Sequence, residues 1–552
     1  MRAHFFCNPK RCFLGLVSLA LFLVAMMTCP AFSQMPDDAL NDLTTLSGGP
    51  LDLQQTALIA LVNSPDIMMG ELGVESARAG LQMAKGTFDI SASLTGSATN
   101  TRAEGDGTTT LTILGDNDTR GLTLGLSKMF RTGASASASA GVTRTDYRMD
   151  ATEISNAAAL SLSVTIPLLK GRGYVSAAAG ETVARLSSEA TELNFYHTIS
   201  SLLLGSITAY WTYKTAVENL KIQEEGERRI NGWDDVIMED VKAMNFSQAE
   251  IDVYMKDHAA EISRMEGYFS NKRRSVISAT EDVSAAKSAL AIAIGAKQEQ
   301  ISQIGAPSEA FPKNIDGALK ALGRQPMQDK WMNTALAKRL DFKAAKLTRE
   351  GSAVSMAKAK RDELPSLDFT LSASRSSTDS DDSDSNHFFR SLTNNDPRGT
   401  GSGATLMFSY PLGNNVAKGA RISARVADRI NVITMNNLRR TVRVQVGTAA
   451  SELMRRLKES VEAEKSVKNY KIALKHFYET SRKDLLTDPN VMLHLLDLDE
   501  KLSAAQTSLV SSLQGLAVAI AQLRFQTGTI LTAADMDAGE LKLANLSEIP
   551  GM

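Results

Sequence analysis

Apolar residues recur along this chain with two different periods, and the two periods alternate in blocks. Period two comes first. Leu122, Leu124 and Leu126 share one face against Thr123, Gly125 and Ser127, and Leu160, Leu162, Val164 and Ile166 oppose Ser161, Ser163 and Thr165. This alternation predicts strands near Ile90–Asn100, Gly121–Phe130, Gly133–Tyr147 and Ala158–Leu168. Leu367, Phe369, Leu371 and Ala373 predict a fifth, and Ala404, Leu406, Phe408 and Tyr410 a sixth. Apolar residues on one face and small polar ones on the other, over about ten residues, are the weak signature of an outer-membrane barrel strand. Half-buried strands of a soluble sandwich share it.

The second period is helical. Leu193, Tyr196, Leu203, Ile207, Tyr210, Val217 and Leu220 fall on one stripe. Leu502, Ala505, Leu509, Leu513, Leu516, Ile520 and Leu523 form another, close to the spacing of a coiled coil. A helix from Ser176 to Met244 would be roughly 100 Å long at about 1.5 Å per residue, longer than a compact domain needs. The helical runs reverse at capped points. Ser247-Gln248-Ala249-Glu250 has the capping-box pattern, and Asp488 precedes Pro489 and Asn490 as an N-cap before a first-turn proline. The returning helices end at Gly295 and Gly528, residues suited to the left-handed position past a helix end.

The blocks occur twice as strand, proline, turn and long helix. Pro167 closes the strand before the helix from about Ser176, and Pro411 the strand before the helix from about Ala417. Ala60–Lys85 aligns without gaps on Ala335–Lys360 at a constant offset of 275. So long a unit is a duplicated half-molecule and not a solenoid repeat. Asp66 to Pro167 spans 101 positions and Asp341 to Pro411 spans 70, so the first half carries one additional hairpin, with a turn at Phe130-Arg131-Thr132-Gly133.

The remaining composition narrows the class. Arg2, Lys10 and Arg11 precede an apolar run from Phe13 to Met27, and Ala31-Phe32-Ser33 is a small-x-small cleavage site, so residues 1–33 are expected to be a secretion signal. Its removal takes away Cys7, Cys12 and Cys29 and leaves neither disulfide nor thiolate metal site. Lipidation of Cys29 is the less favoured alternative, because the residues before it are not small. No later stretch approaches 18 consecutive apolar residues, so no transmembrane helix is expected after the signal. The formal net charge is −2 with both signs interspersed, which gives no nucleic-acid footprint. The aspartate-rich run at 377–384 lacks the glycine and glutamate of a calcium loop and is read as a solvated external loop. The six histidines show no ligand spacing and no nucleophile or phosphate motif appears, so neither enzyme, metal site nor cofactor is expected. The expected domains are residues 34–326 and 327–535 as the two repeats, with a loose tail at 536–552.

Hydrocarbon leaves no strand edge unsatisfied, and about four to six strands are fewer than the eight or so of the smallest barrel. Several chains must therefore close one barrel, and their helices a second hollow cylinder. On Leu53–Leu58, Glu75–Leu81, Ile166–Gly171, Ala209-Tyr210-Trp211 and Leu523–Leu531, in that order, the chain resembles the TolC-like outer membrane efflux proteins. The resemblance implies a mixed α and β fold, with a transmembrane β-barrel shared between the subunits of a homotrimer and a long periplasmic α-helical barrel. It implies an exit duct in the outer membrane of a Gram-negative bacterium, serving an efflux pump or type I secretion system. Its partners would be a periplasmic adaptor and, through it, an inner-membrane transporter. A periplasmic adaptor or a trimeric coiled-coil surface protein are the rivals, and two hairpins with strands in both halves argue against each.

The resemblance also assigns candidate sites. The tips, with Phe246, Ser247, Glu250, Asp488 and Asn490, would dock the adaptor. The family's entrance aspartate pair falls on His494 and Asp497, so only its second member is matched. The additional hairpin would give 18 strands in a trimer where the family has 12, unless it lies outside the barrel wall.

Overall fold

The computed structural model describes residues 48–101, 116–148, 152–243, 250, 253, 256–312, 327–379, 399–481, 489–531 and 549–550. The expected signal, residues 380–384 of the aspartate-rich run and the tip residues Phe246, Ser247 and Asp488 lie outside them. The elements in chain order are α1 (Leu53–Asn63), α2 (Pro65–Gly86), β1 (Ile90–Thr101), β2 (Asp116–Met129), β3 (Ser135–Arg148) and β4 (Thr152–Pro167). Next come α3 (Tyr174–Ala177), α4 (Ala179–Ala243), α5 (Ala259–Ala293), α6 (Met327–Lys338) and α7 (Leu340–Asp362). β5 (Ser366–Asp379), β6 (Gly399–Ser409), α8 (Asn415–Ser481) and α9 (Pro489–Thr527) complete the chain.

All six expected strands form, several longer than the alternation alone marks. They make one antiparallel sheet in the order β1-β2-β3-β4-β5-β6. The β4–β5 pairing, from Pro167↔Asp368 to Asn156↔Asp379, joins the strands of the first half of the chain to those of the second.

Two compact units result, and each draws on both halves of the sequence. One comprises Ala77–Ser188 and Thr348–Val432 and contains the sheet; the other comprises Asp37–Ser76, Glu189–Leu347 and Ile433–Met552 and is helical in its described part. The helical unit holds four apolar clusters. α1, α4, α5 and α9 meet around Ile207, Trp211, Leu290 and Ala521, and α6, α8 and α9 around Trp331, Leu453 and Leu523. Ile230, Leu474, Met492 and Leu495 bring α4, α8 and α9 together. Leu61, Ile67, Leu203 and Ile530 form the fourth. Both stripes read from the sequence face these cores: Leu203, Ile207, Tyr210, Leu516 and Leu523 are buried. A fully buried leucine contributes about 1.5–3 kcal/mol.

One helical segment is more apolar than its broken runs suggest. Asn490–Thr527 holds an 18-residue window of membrane-like mean hydropathy, 39% of it buried, and its buried side packs in three of the four clusters. The expected loose tail is held at one point, where Ile549 is buried in the α6–α8–α9 cluster and Trp331 Nε1 donates to Pro550 O at 3.0 Å.

The helix breaks explain how the ends of the helical runs are fixed. α1 and α2 bend by 51° at Ser64, where the following proline favours extended backbone. Two glycines pack against equivalent breaks. Gly295, at φ +69°, ends α5 with Ala296 N donating to Ala291 O at 2.9 Å and Gly295 N to Ile292 O at 3.1 Å. Gly528, at φ +67°, ends α9 with Thr529 N donating to Arg524 O at 2.8 Å and Gly528 N to Phe525 O at 3.0 Å. Both are Schellman motifs. A Cβ on Gly295 would lie 2.6 Å from Asn63 O, and one on Gly528 would lie 2.9 Å from Arg339 N. Backbone strain and steric overlap therefore act together. Gly528→Ala is expected to lose about 2 kcal/mol or more of stability, read as a lower melting midpoint of the helical circular-dichroism signal. Exposed Gly267, with nothing near its missing Cβ, should tolerate alanine without loss.

Candidate functional site

The sheet has two unlike faces. On one, Leu94, Leu124, Leu162, Leu371 and Leu406 recur in adjacent register, and Leu94, Leu162 and Leu406 are 59%, 53% and 62% exposed. Most of the charged residues on this face lie at the margins of the apolar band: Asp118, Arg120, Arg144 and Asp146 stand at one end and Lys128 near the other, while Arg375 registers on Leu160. At the end where β4 and β6 leave the sheet the face finishes in aromatic residues, Phe130, Phe408 and Tyr410, all exposed. The opposite face is mostly Ser, Thr and Gly, and among the described residues the charged ones registered on it are Glu153 and Asp368. Its hydroxyls pair across strands: Ser137–Ser163 at 2.7 Å, Ser139–Ser161 at 2.6 Å and Thr165–Thr370 at 3.0 Å. Such a sheet suits hydrocarbon on one side and water on the other.

The strand-to-helix turns are built from both expected prolines. Pro167 ends β4, and Leu168 N donates to Leu367 O at 2.7 Å. Pro411 follows β6, and Asn414 then takes a left-handed conformation, φ 45°, with its Nδ2 donating to Glu363 O at 2.9 Å. Asparagine is among the few side-chain-bearing residues that tolerate that geometry.

Of the expected docking residues, Glu250 is helical and exposed, and Asn490 is exposed in the first turn of α9. His494 and Asp497 both lie toward solvent on α9, away from buried Leu495 and Leu496. Asp497 Oδ2 accepts from Lys501 Nζ at 2.8 Å, an exposed i,i+4 pair, and His494 stands edge-on to Phe477 with ring centroids 4.7 Å apart.

Two residues beyond Asp497, the helical unit buries charge. Asp499 is fully buried; its Oδ1 accepts from Arg229 Nε at 2.8 Å, and its Oδ2 lies 3.8 Å from Lys272 Nζ. Lys272 Nζ donates to Ser503 Oγ at 2.9 Å. Burial pushes the Lys272 ammonium below the ordinary lysine value, while Asp499 and Glu500 oppose that shift and Arg229 adds to it. The network thus ties α4, α5 and α9. A second buried pair fixes the break between α6 and α7. Arg339 presents its fork to Asp341, Nε to Oδ1 at 3.0 Å and Nη2 to Oδ2 at 2.7 Å, and also donates to Gln445 and Gln526. Burial alone would raise the Asp341 carboxyl, but the Arg339 fork outweighs it and holds the group below its usual range. Tyr210, from the aromatic signature, donates to Leu51 O at 3.1 Å and accepts from Glu309 N at 2.9 Å, and burial pushes its phenol up to about 12. Among the described residues no cluster of three or more His, Cys, Asp or Glu could hold a metal ion.

Sequence reasoning singled out Asp497 and passed over Asp499. The signal was available: the stripe Leu502, Ala505, Leu509 extends backward at the same spacing through Asp499 to Leu495 and Met492, so one carboxylate sits where leucine would be expected.

No protein-family model matches the chain, and no curated protein does. Solved structures do. The outer membrane protein VceC of Vibrio cholerae is 16% identical over 86% of this chain and 96% of its own, with a TM-score of 0.60. The CmeC outer membrane channel of Campylobacter jejuni is 11% identical over 95% of both chains, with a TM-score of 0.59. The open state of the MtrE outer membrane channel of Neisseria gonorrhoeae is 14% identical over 86% and 88%, with a TM-score of 0.56. The shared property is the fold.

Breaking the buried network should be costly, because removing one partner leaves the others charged and desolvated. Asp499→Asn is expected to lose about 3 kcal/mol, seen as a lower helical melting midpoint, whereas Asp497→Asn on the exposed face should leave it within about 0.5 kcal/mol. Equal melting for both variants would contradict the assignment.

Proposed function

We propose that the chain is one subunit of a TolC-like homotrimeric outer-membrane channel, the exit duct of a tripartite efflux pump or type I secretion system. The observation that carries this reading is the six-stranded sheet, apolar and exposed on one face, hydroxyl-lined on the other, and open at β1 and β6. A membrane cannot hold those two open edges, and six strands are too few to close on themselves. Pairing β6 of one copy with β1 of the next satisfies both. An apolar stripe on α8, Ile422, Val426 and Ile430, is exposed in the single chain and offers a second intersubunit surface at helical spacing. The fold shared with three bacterial outer membrane proteins supports the same location.

Duplication accounts for the architecture of each subunit. α1 and α2 recur as α6 and α7 at the offset of 275, and Gly295 and Gly528 meet the corresponding breaks, Asn63–Ser64 and Lys338–Arg339. The two sequence repeats, residues 34–326 and 327–535, are thus the two halves of a subunit. The tips around Phe246–Glu250 and Leu486–Asn490 meet a periplasmic adaptor, which connects an inner-membrane transporter. His494 and Asp497 line the periplasmic mouth, three of each in the trimer. The chain is a conduit and performs no catalysis.

Purified protein should conduct ions in planar bilayers with cation preference, and Asp497→Ala should reduce that preference and the block by divalent cations. Cysteines placed at Glu250 or Asn490 should crosslink to an adaptor in cells. A protein that fractionates outside the outer membrane and never conducts overturns the channel. Conductance indifferent to Asp497→Ala overturns the entrance alone.

A further inference from the structure

Among the described residues the hairpin β2–β3 has no counterpart in the second half of the chain. β1 corresponds to β5 and β4 to β6, and β5 pairs directly with β6. In the first half two further strands stand between the corresponding pair. They are fully incorporated. β1 pairs with β2 from Ile90↔Lys128 to Thr101↔Asn117, β2 with β3 over the whole of each strand, and β3 with β4 from Ser135↔Thr165 to Arg148↔Thr152. The two-faced pattern continues through them without a break: Leu124 registers on Leu94 and Ala140, and Ala140 on Leu160.

The turn of this hairpin is anchored as firmly as its strands. Arg131 Nε and Nη2 donate to the two carboxylate oxygens of Glu181, at 2.6 and 2.9 Å, and the guanidinium lies 4.9 Å from the ring centroid of buried Phe88. Gly173 N donates to Thr132 O at 2.8 Å. Gly133, at φ +91°, approaches so closely that a Cβ would lie 2.2 Å from Gly171 O. A hairpin folded away from the wall would break all of these contacts.

We propose that β2–β3 is part of the membrane wall itself, so that the outlet is a barrel of eighteen strands, six from each chain, and not of twelve. This rests on the channel reading above. Strands about 4.8 Å apart and tilted by about 40° give a backbone diameter of roughly 36 Å for eighteen, against roughly 24 Å for twelve. The inner face is the hydroxyl-rich one, with Thr123, Ser137 and Ser139 contributed by the hairpin and Ser93, Thr95 and Ser161 by its neighbours, and with Glu153 and Asp368 as its charged residues. Such an outlet passes bulky polar solutes by size, and across so wide a bore its few carboxylates, screened within about 8 Å, sort them little by charge. Selection then belongs to other parts of the path.

Site-directed spin labelling tests this in vesicles of phosphatidylethanolamine and phosphatidylglycerol. Single cysteines replace Thr123, Leu124, Ser139 and Ala140 on the hairpin, and Ser93, Leu94, Ser161 and Leu162 on the flanking strands. In the expected result oxygen accessibility dominates at Leu124 and Ala140, and accessibility to a water-soluble nickel chelate dominates at Thr123 and Ser139. The contrast should be severalfold and in phase with that at positions 93, 94, 161 and 162. Alternation on the flanking strands, with both faces of the hairpin open to the nickel chelate, overturns the eighteen-strand wall and leaves the channel intact. Loss of alternation on the flanking strands as well overturns the channel reading and this inference with it.

Discussion

The constraint on which the rest of the structure depends is the unmade hydrogen bonds along the outer edges of β1 and β6. Each edge carries backbone donors and acceptors that hydrocarbon cannot satisfy, at several kcal/mol per group. Every other feature of the sheet makes that cost unavoidable for an isolated chain. Its leucine face excludes water on one side, its register is fixed across both halves of the chain, and six strands cannot curl far enough to meet. In the channel proposed above, the edges are satisfied when β6 of one copy meets β1 of another.

The helical unit solves a different problem with ordinary means. Its apolar clusters bury leucine, isoleucine and aromatic side chains in the manner of coiled coils, and its helix breaks are locked by glycines pressed against the opposing backbone. Charge enters this core at Asp499 with Arg229 and Lys272 and at Arg339 with Asp341. A buried ion pair is weak as a source of stability but costly to break, so it penalises alternative registers between helices that would otherwise slide along similar apolar stripes. Uniform leucine would leave register less defined.

Much of this was legible in the residues. Alternation at Leu122–Ser127 and Leu160–Ile166 marked strands because a two-residue period has no other use, and Gly295 and Gly528 marked helix ends because only the left-handed position there needs glycine. Strand ends were less legible. β2 and β4 run on through Thr119, Arg120, Ser155 and Asn156, where the apolar face gives way to polar residues and the period loses contrast. The position of the additional hairpin was undetermined, since alternation gives a strand's faces and not its neighbours; pairing supplied that. The buried Asp499 was hidden among Asp497 and Glu500, because a single acidic residue on an apolar stripe looks like its exposed neighbours until the partners Arg229 and Lys272, from helices over 200 residues earlier, are seen beside it. The tips and the entrance depend on other molecules, and one chain's residues carry little of that information.

The central claim is that this chain completes its sheet only with copies of itself. Native mass spectrometry of the protein, extracted from membranes in mild detergent, measures that directly. The account predicts particles of three chains, stable until the strands unfold. Monomeric particles that keep the sheet folded would contradict it.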